Sequence, residues 1–475
     1  VNARARIQPK GPRPRRHHGG APDRAVRISP SLVLFQAWGC GSDATPGSSV
    51  EVRVPAGYAV DVARGPLTGP TVDSAGRLTF ASVLLDAPLT FVADVTAARP
   101  GAYLDGRRST SIGNQTVILV LRSWPDDATW YSRVGDLLTR VLTVLGEEIG
   151  APWLIADTLT VEETLGRGGT DAGDFDPEGA LMGVGYKGSP SVVLHAAAHA
   201  WFNGRLVADR WIAEAFASYY AGRAAAALGL AIESPDLADI PVGLAIPLNA
   251  WAPMGEATTA EDAYGLAASL ALAREIAAVV GGEALRDTWR AAASGAPAYQ
   301  AGSASGAPSS EARAGPPDWR GLLDLLQDQA SPGGDAALDR LWHRWVIRPG
   351  DAALLDARAA ARESYAAALE AAAPWTLPRS IRDAMRAWQF GSALEQIDDA
   401  EAVLRQRAAV AAAASTAGRR PPPALRHAFE GDDGFAVASA EACTIFNVSL
   451  RAMAAKISAP PTPRAADSVG VARPR

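Results

Sequence analysis

Two histidines, His195 and His199, carry the clearest chemical signal in the sequence. They stand four residues apart in the run VVLHAAAHAWFN, and Ser189-Pro190 ahead of it is a helix-start signal. Four residues make about one helical turn, so both imidazoles lie on one face of the predicted helix. Two neutral imidazoles so placed can share one zinc ion. On spacing alone, a pair of surface or core histidines is the simpler interpretation, so the surroundings have to decide.

A third possible ligand, Glu214, follows on the next predicted helix. Its neighbours are aromatic and apolar, among them Trp211, Phe216 and Tyr220. A carboxylate buried without a partner would be costly there, and a zinc ion on the two histidines would supply one. Two histidines and one glutamate leave a fourth position for water, which is typical of a catalytic rather than a structural zinc.

These two helices resemble the zinc-binding segment of the membrane alanyl aminopeptidase family, a family of gluzincin zinc metallopeptidases. There, one helix carries His-Glu-x-x-His and the next carries Trp-x-x-Glu-x-Phe-Ala-x-Tyr; here they read HAAAHAWFN and WIAEAFASYY. The resemblance implies that His195, His199 and Glu214 bind one zinc ion. The segment DAYGLAASLALAREI is similar to the helix with the family's catalytic tyrosine, which implies that Tyr264 stabilises the oxyanion. The resemblance covers residues 115–290.

The sequence departs from this family at Ala196. The family has a glutamate there, which takes a proton from the attacking water and passes it to the leaving amine. Alanine can do neither, whereas zinc binding needs no carboxylate at this position. General acid–base catalysis is typically worth ~100- to 10,000-fold in rate, so Ala196 predicts a protein that is inactive or severely impaired. A replacement carboxylate from the loop at 171–178, or an introduced inactivating substitution, stays open.

The expected substrate-binding strand departs from the family as well. The family's Gly-x-Met-Glu-Asn strand captures the amino terminus of the substrate with its glutamate. Its nearest match here contains Gly179, Ala180 and Met182, and the resemblance implies that these residues bind substrate. The glutamate is missing, although Glu178 is nearby, so the sequence does not predict aminopeptidase specificity.

The connection between the two ligand-bearing helices is shorter than in the family. Residues 200–213 separate His199 from Glu214. A tight turn at Asn203-Gly204 would compensate for the shorter connection. The intact aromatic pattern around Glu214 favours such a turn.

The composition limits the class of protein. A chain of 475 residues is enough for about three domains of ~150 residues each. Its 48% hydrophobic and 20% charged residues are typical of a globular chain. A net charge of -6 offers no basic field, so no nucleic-acid partner is expected. Two cysteines, Cys40 and Cys443, can build neither a disulfide framework nor a thiolate zinc site.

The surrounding pattern predicts an α/β (α+β) metallopeptidase-like domain, thermolysin-like by the same resemblance, between a small β unit and a helical carboxy-terminal region. In chain order, we expect a disordered basic segment or poor export signal at 1–48, the β unit at 49–114, the zinc domain at 115–291, a flexible linker at 292–318, the helical region at 319–420 and a mostly disordered tail at 421–475. Expected elements of the zinc domain are strands at 116–121 and 154–161, a loop at 162–179, an edge strand at 184–186, and helices at 131–150, 190–201, 211–228 and 262–280.

The amino-terminal segment has the order of an export signal, with basic residues, a short apolar run at 28–38 and then small residues. Pro30 interrupts the run, so export to the cell envelope is one expectation and a cytoplasmic location the other. No stretch of 18 apolar residues lacks a charge, so we expect no transmembrane segment. The nearest stretch, 265–282, contains Arg274 and Glu275.

Three hypotheses about function follow from these residues. The first is a zinc metallopeptidase whose proton-transfer step is crippled by Ala196 or performed by another group. The second is a non-catalytic, zinc-dependent peptide-binding or scaffold protein on the same fold. Both expect one Zn²⁺ ion and a peptide or protein partner. The third is a structural helical protein in which the site is vestigial.

Overall fold

The structure is a computed structural model. It describes residues 26–38, 46–63, 67–87, 91–125, 127–164, 173–186, 188–241, 243–254, 256–300, 313–331, 333–416, 420, 423–431, 438, 440 and 444. Both cysteines, the first 25 residues, residues 301–312 of the predicted linker and most of the predicted tail lie outside the described residues.

The chain divides into two compact units, the first made of 1–296 and 313–348 and the second of 297–312 and 349–475. The predicted boundaries at 292–318 are therefore wrong, because the first helices after the linker belong to the first unit. The backbone N–H of Trp319 donates to the Asp209 carboxylate at 2.6 Å, and the ring of Trp342 contacts that of Trp211. These contacts hold that part of the predicted helical region against the zinc domain.

The amino-terminal strands form two sheets. The four-stranded sheet has the order β1 (Val26–Ile28), β2 (Leu32–Trp38), β7 (Val92–Ala98), β4 (Ala59–Ala63). The three-stranded sheet has the order β3 (Glu51–Val54), β6 (Leu78–Ser82), β5 (Leu67–Val72). All their pairings are antiparallel.

The strand β2 corrects the expectation of disorder for residues 26–38, whereas residues 1–25 and 39–45 of the predicted segment lie outside the described residues. It pairs with β7 along its whole length, from Leu32 opposite Ala98 to Trp38 opposite Val92. Leu32 is completely buried. The apolar run that looks like an export signal therefore has a place in a sheet.

A third sheet, which is mixed and has five strands, has the order β11-β12-β10-β9-β8. Its strands are β8 (Leu104–Ile112), β9 (Gln115–Ser123), β10 (Thr158–Thr164), β11 (Gly173–Asp176) and β12 (Leu181–Gly185). The pairs β9–β10 and β10–β12 are parallel, while β8 and β11 are antiparallel strands at the two edges.

This sheet corrects three sequence-based expectations. The boundary at 114 is wrong, since it would cut the β8–β9 hairpin between Ile112 and Gln115, which pair with each other. The predicted loop at 162–179 contains the end of β10 and all of β11. The predicted edge strand at 184–186 is wrong, because β12 lies between two strands. Periodicity missed these features because β11 and β12 are short and rich in glycine.

Helices pack against the strands of this sheet. The helix α1 (Ala128–Ile149) joins β9 to β10 and ends where Gly150 takes a left-handed conformation, φ 70°. Three more helices match predicted ones: α2 (Pro190–Ala198), α3 (Arg210–Ala227) and α4 (Thr259–Val280), followed by α5 (Gly282–Ser294), which was not predicted. The helix α3 contacts α1, α2 and α4.

By length and composition alone, α4 could cross a membrane, and half of its most apolar window is buried inside the protein. Burial of this kind is what a core helix shows, so the finding is weak evidence for a span.

The remaining described helices complete both units. The first unit adds α6 (Trp319–Gln329), α7 (Gly334–Leu341) and a π-helical turn at Trp342–Val346. The second unit contains α8 (Ala352–Ala372), α9 (Arg379–Arg386), α10 (Phe390–Thr416) and α11 (Pro423–Glu430).

Candidate metal centre

The helix α2 carries both histidines and is fixed at its two ends. Ser189 caps the first turn by accepting the backbone N–H of Val192 at 3.4 Å, and Pro190 occupies the first helical position. The helix ends at Ala198, and His199 is the C-cap residue that follows it. Its backbone N–H still reaches the carbonyl of His195, which keeps the two imidazoles one turn apart.

The tight turn predicted between α2 and α3 is present and is closed by Asn203. The side-chain amide of Asn203 donates to the carbonyl of His199 at 2.8 Å, and its oxygen accepts the backbone N–H of Arg205 at 2.9 Å. This side chain ties the turn to the end of α2, which brings α3 back within a short connection.

The three predicted ligands converge in the structure. The Nε2 atoms of His195 and His199 are 3.0 Å apart. A carboxylate oxygen of Glu214 lies 3.2 Å from the first Nε2 and 3.7 Å from the second. Zinc bonds of about 2.0–2.2 Å in a tetrahedron put ligand atoms about 3.3 Å apart, so the three measured distances fit one zinc ion. Among the described residues, no other set of His, Cys, Asp and Glu side chains is grouped closely enough to hold a metal ion.

Each imidazole is held from behind through its Nδ1 atom. His199 Nδ1 lies 2.8 Å from the carbonyl oxygen of Phe202, and His195 Nδ1 lies 3.1 Å from the hydroxyl of Ser218. Metal-binding histidines usually have such a partner, which fixes the ring orientation and leaves the other nitrogen for the metal. Sequence analysis missed Ser218, although its place one helical turn after Glu214 could have indicated it.

The charges of the trio suit a cation. Burial lowers the pKa of His195 and so favours its neutral form. Burial alone would raise the pKa of Glu214, but the adjacent His199 and His195 rings outweigh it and hold that pKa below its usual range. Neutral imidazoles and an ionised carboxylate are the protonation states that zinc binds.

An aromatic cluster packs behind the trio and consists of Phe202, Phe216, Tyr220 and Trp289. Phe202 stacks on Phe216 and Tyr220, and Trp289 meets both phenylalanines edge-on. The Trp289 indole N–H donates to the Tyr220 hydroxyl at 2.9 Å. The sequence pattern favours core packing over substrate contact for Phe202 and Phe216, and their complete burial confirms it.

On the helix between the two histidines, Ala196 is 2% exposed. In the described part of the loop considered as a source of a replacement carboxylate, Asp176 is exposed and accepts the backbone N–H of Glu178 at 3.0 Å. Glu178 is the second acidic side chain described there. Its carboxylate lies 3.3 Å from the Arg205 guanidinium, and its side chain is 80% exposed. Glu178 is therefore engaged with the turn after α2.

The structure places Tyr264 near the start of α4, a helix that packs against α3. The ring is largely buried. Burial raises the pKa of its hydroxyl, against an opposing effect of Arg344, so the hydroxyl keeps its proton at neutral pH.

Three side chains join the starts of α3 and α4, and we call them the Arg210 clamp: Arg210, Trp251 and Asp262. Arg210 lies 2.9 Å from the Asp262 carboxylate and stacks on the Trp251 ring, 3.9 Å from its centre. The Trp251 indole N–H donates to the same carboxylate at 3.0 Å. A Cβ at Gly265 would lie 2.3 Å from the Trp251 ring, so glycine permits this close approach beside Tyr264.

The three residues expected to bind substrate lie at the β11–β12 hairpin. Gly179 and Ala180 form its turn, where Ala180 takes a positive φ of 47° that is uncommon for a residue with a side chain. Met182 lies in β12 and its side chain is completely buried. A peptide could therefore meet only the backbone of Met182, and the substrate-binding role of this residue stays a prediction.

No family model and no curated protein matches the chain. Among solved structures, it is similar to an M1 zinc metallopeptidase from Deinococcus radiodurans, at 17% identity over 67% of this chain and 70% of that one, with a TM-score of 0.39. A glutamate-to-alanine mutant from that organism matches at 18% identity over 67% and 71%, TM-score 0.41. The mutant bound to a Tyr-Ser-Ala substrate matches at 19% identity over 67% and 71%, TM-score 0.38. Likeness this low assigns neither a family nor an activity.

Proposed function

We propose that this chain is a metallopeptidase-like protein that binds one zinc ion and in which peptide hydrolysis is lost or severely slowed. The observation that carries the proposal is the convergence of His195 Nε2, His199 Nε2 and the Glu214 carboxylate beside Ala196. The His195 side chain is 29% exposed, so solvent and a ligand can reach the trio. That access favours a site of the catalytic rather than the closed structural type.

The residues of the chain divide the work as follows. His195, His199 and Glu214 hold the metal ion, with Phe202 and Ser218 orienting the imidazoles. A zinc ion supplies Lewis acidity toward a peptide carbonyl when it is bound in such a set. Tyr264 keeps its proton at neutral pH and would donate a hydrogen bond to the oxygen that gains negative charge.

Among the residues of this site that the structure describes, the missing part is a proton carrier. Ala196 offers no acid or base, and Glu178 is engaged with Arg205. Without general acid–base help, a hydrolase loses ~100- to 10,000-fold in rate. Binding of a peptide needs no such group, since it depends on the metal ion and the surrounding surface.

A second candidate function is therefore zinc-dependent capture of a peptide without cleavage, and Ala196 is the observation that favours it. In that case the backbone at Gly179 and Ala180 would contact the peptide.

The test compares the intact chain with Ala196→Glu and Ala196→Gln in chelator-controlled hydrolysis of a mixed peptide pool. Glutamine has the size of glutamate but cannot carry the proton, so it controls for packing at this buried position. We expect cleavage by Ala196→Glu alone, and its loss on chelation. Chelator-sensitive cleavage by the unaltered chain would contradict the proposal of lost activity. Cleavage by none of the three, with no zinc bound, would contradict the metal centre itself.

A further inference from the structure

The two histidines of the trio differ in what holds their Nδ1 atoms. The partner of His199 Nδ1 is the carbonyl oxygen of Phe202 at 2.8 Å, and a carbonyl oxygen can only accept a hydrogen bond. The partner of His195 Nδ1 is the Ser218 hydroxyl at 3.1 Å, which can donate or accept by rotation of its O–H bond. The His199 imidazole is therefore held in one tautomer, whereas the His195 imidazole has a partner that is compatible with both tautomers.

Without a metal ion, the hydrogen-bond partners assign both tautomers. The contact with Phe202 requires a proton on His199 Nδ1, so the Nε2 of that neutral ring has a lone pair. This Nε2 lies 3.0 Å from His195 Nε2, so the proton between them belongs to His195. Glu214 offers that proton a second acceptor at 3.2 Å. The Nδ1 of His195 is then bare, and the Ser218 hydroxyl donates to it.

We propose that Ser218 is a positioning residue that lets His195 exchange tautomers when a metal ion enters, an inference that rests on the zinc site proposed above. Metal binding needs the lone pair of His195 Nε2, so the proton leaves that nitrogen. It moves through solvent to Nδ1, and the ring remains neutral with the same number of protons. The Ser218 oxygen then accepts from Nδ1–H.

The hydroxyl hydrogen of Ser218 has a place to go in this second state. Ser218 lies on α3, and a helical serine can donate to the carbonyl four residues earlier, which here is that of Glu214. The exchange therefore needs rotation of one hydroxyl hydrogen and the transfer of one proton, with no movement of heavy atoms.

A partner that only accepts would serve the metal-free protein badly. It would hold the proton on His195 Nδ1 and leave the lone pairs of two Nε2 atoms facing each other at 3.0 Å. The Glu214 carboxylate would also lose its donor. The Ser218 hydroxyl satisfies the trio both with and without the ion, which explains why this position carries a hydroxyl.

Two-bond ¹H–¹⁵N correlation spectra of the full chain with ¹⁵N-labelled histidine show which ring nitrogen carries the proton. We expect His195 to be protonated at Nε2 and His199 at Nδ1 in the metal-free chain, and both at Nδ1 after one equivalent of zinc. Spectra of His195→Gln and His199→Gln assign the signals. A His195 that is already protonated at Nδ1 without zinc would overturn the inference.

Competition with a chromophoric chelator measures the zinc affinity of Ser218→Ala and Ser218→Thr. Loss of a group that orients a metal ligand typically weakens binding ~10- to 100-fold, and we expect that loss in Ser218→Ala. Threonine keeps the hydroxyl and should restore the affinity. Ser269→Ala is a matched control, because it removes a buried helical hydroxyl that bonds the carbonyl of Leu266 instead of a histidine.

The outcomes separate this inference from the zinc site itself. If the unaltered chain binds zinc and Ser218→Ala binds it equally well, the role of Ser218 is wrong and the zinc site stands. If the unaltered chain binds no zinc, the zinc site is wrong and the tautomer exchange falls with it.

Discussion

Two parts of the first unit were expected to build the site, the α2–α3 helix pair and the β11–β12 hairpin, and they are held in different ways. In the helix pair, both imidazoles have partners on both ring nitrogens, and an aromatic cluster packs behind them. In the hairpin, the side chain of Glu178 is 80% exposed and pairs with Arg205 at the surface. Buried packing therefore sets the positions of the metal-binding groups, whereas the β11–β12 hairpin lacks the glutamate that the family resemblance implies for substrate binding.

The largest effect is expected from a substitution that opens the aromatic cluster. Phe216→Ala removes a completely buried ring two residues from Glu214, and such changes cost about 3–5 kcal/mol. We expect a fall of this size in the free energy of urea unfolding and loss of bound zinc. Phe429→Ala is the control, because it empties an equally buried site in the second unit. Zinc lost equally from both variants would contradict a local effect.

Metal removal tests the same helix pair from the ligand side. An ion that binds only the folded chain stabilises it by about 4 kcal/mol at a concentration 1,000 times its Kd. Chelation should therefore lower the melting temperature of the unaltered chain and leave that of His199→Ala unchanged. A chelator effect of equal size in both proteins would place the metal elsewhere.

Substitutions in the Arg210 clamp are expected to have an intermediate effect on stability, because its side chains are partly buried. Asp262→Asn weakens the contacts with Arg210 and Trp251. Hydrogen bonds to charged groups contribute ~1.5–3 kcal/mol, and partial exposure reduces this contribution. We therefore expect the free energy of unfolding to fall by about 1–2 kcal/mol. Asp287→Asn, in an exposed pair with Arg290, is the matched control and should lose less. Equal losses in urea unfolding would show that the clamp is not special.

The smallest effect is expected in the hairpin. Glu178→Gln breaks an exposed ion pair with Arg205, and such pairs contribute roughly 0–1 kcal/mol. Zinc affinity measured by chelator competition should not change. A clear loss of zinc binding would show that the hairpin, and not packing alone, positions the trio.

The same contrast explains what could be predicted from sequence. Helical spacing was enough to place His195 and His199 on one face of a helix. Glu214 lies on the next helix, and its membership of the ligand set was implied by the family resemblance. Ser218 could have been found in the same way. The carbonyl of Phe202 could not, since it depends on how α2 ends.

The strands were predicted less well for a physical reason. A short run such as β11 or β12 owes its existence to neighbouring strands that are distant in sequence, and its glycines weaken the alternating pattern. The apolar run of β2 could not be recognised as a strand from sequence, because a buried strand and the core of an export signal have similar composition. Its partner, Val92–Ala98, is what distinguishes them.

The central claim is that three side chains on α2 and α3 bind one zinc ion. Zinc analysis of the purified full chain, combined with X-ray absorption at the zinc edge, tests it most directly. We expect one zinc per chain with two nitrogen ligands and a carboxylate oxygen at about 2.0–2.2 Å, and none in His199→Ala. The claim would be contradicted if the folded chain binds no zinc when zinc is supplied. It would also be contradicted if the His199→Ala variant still binds zinc.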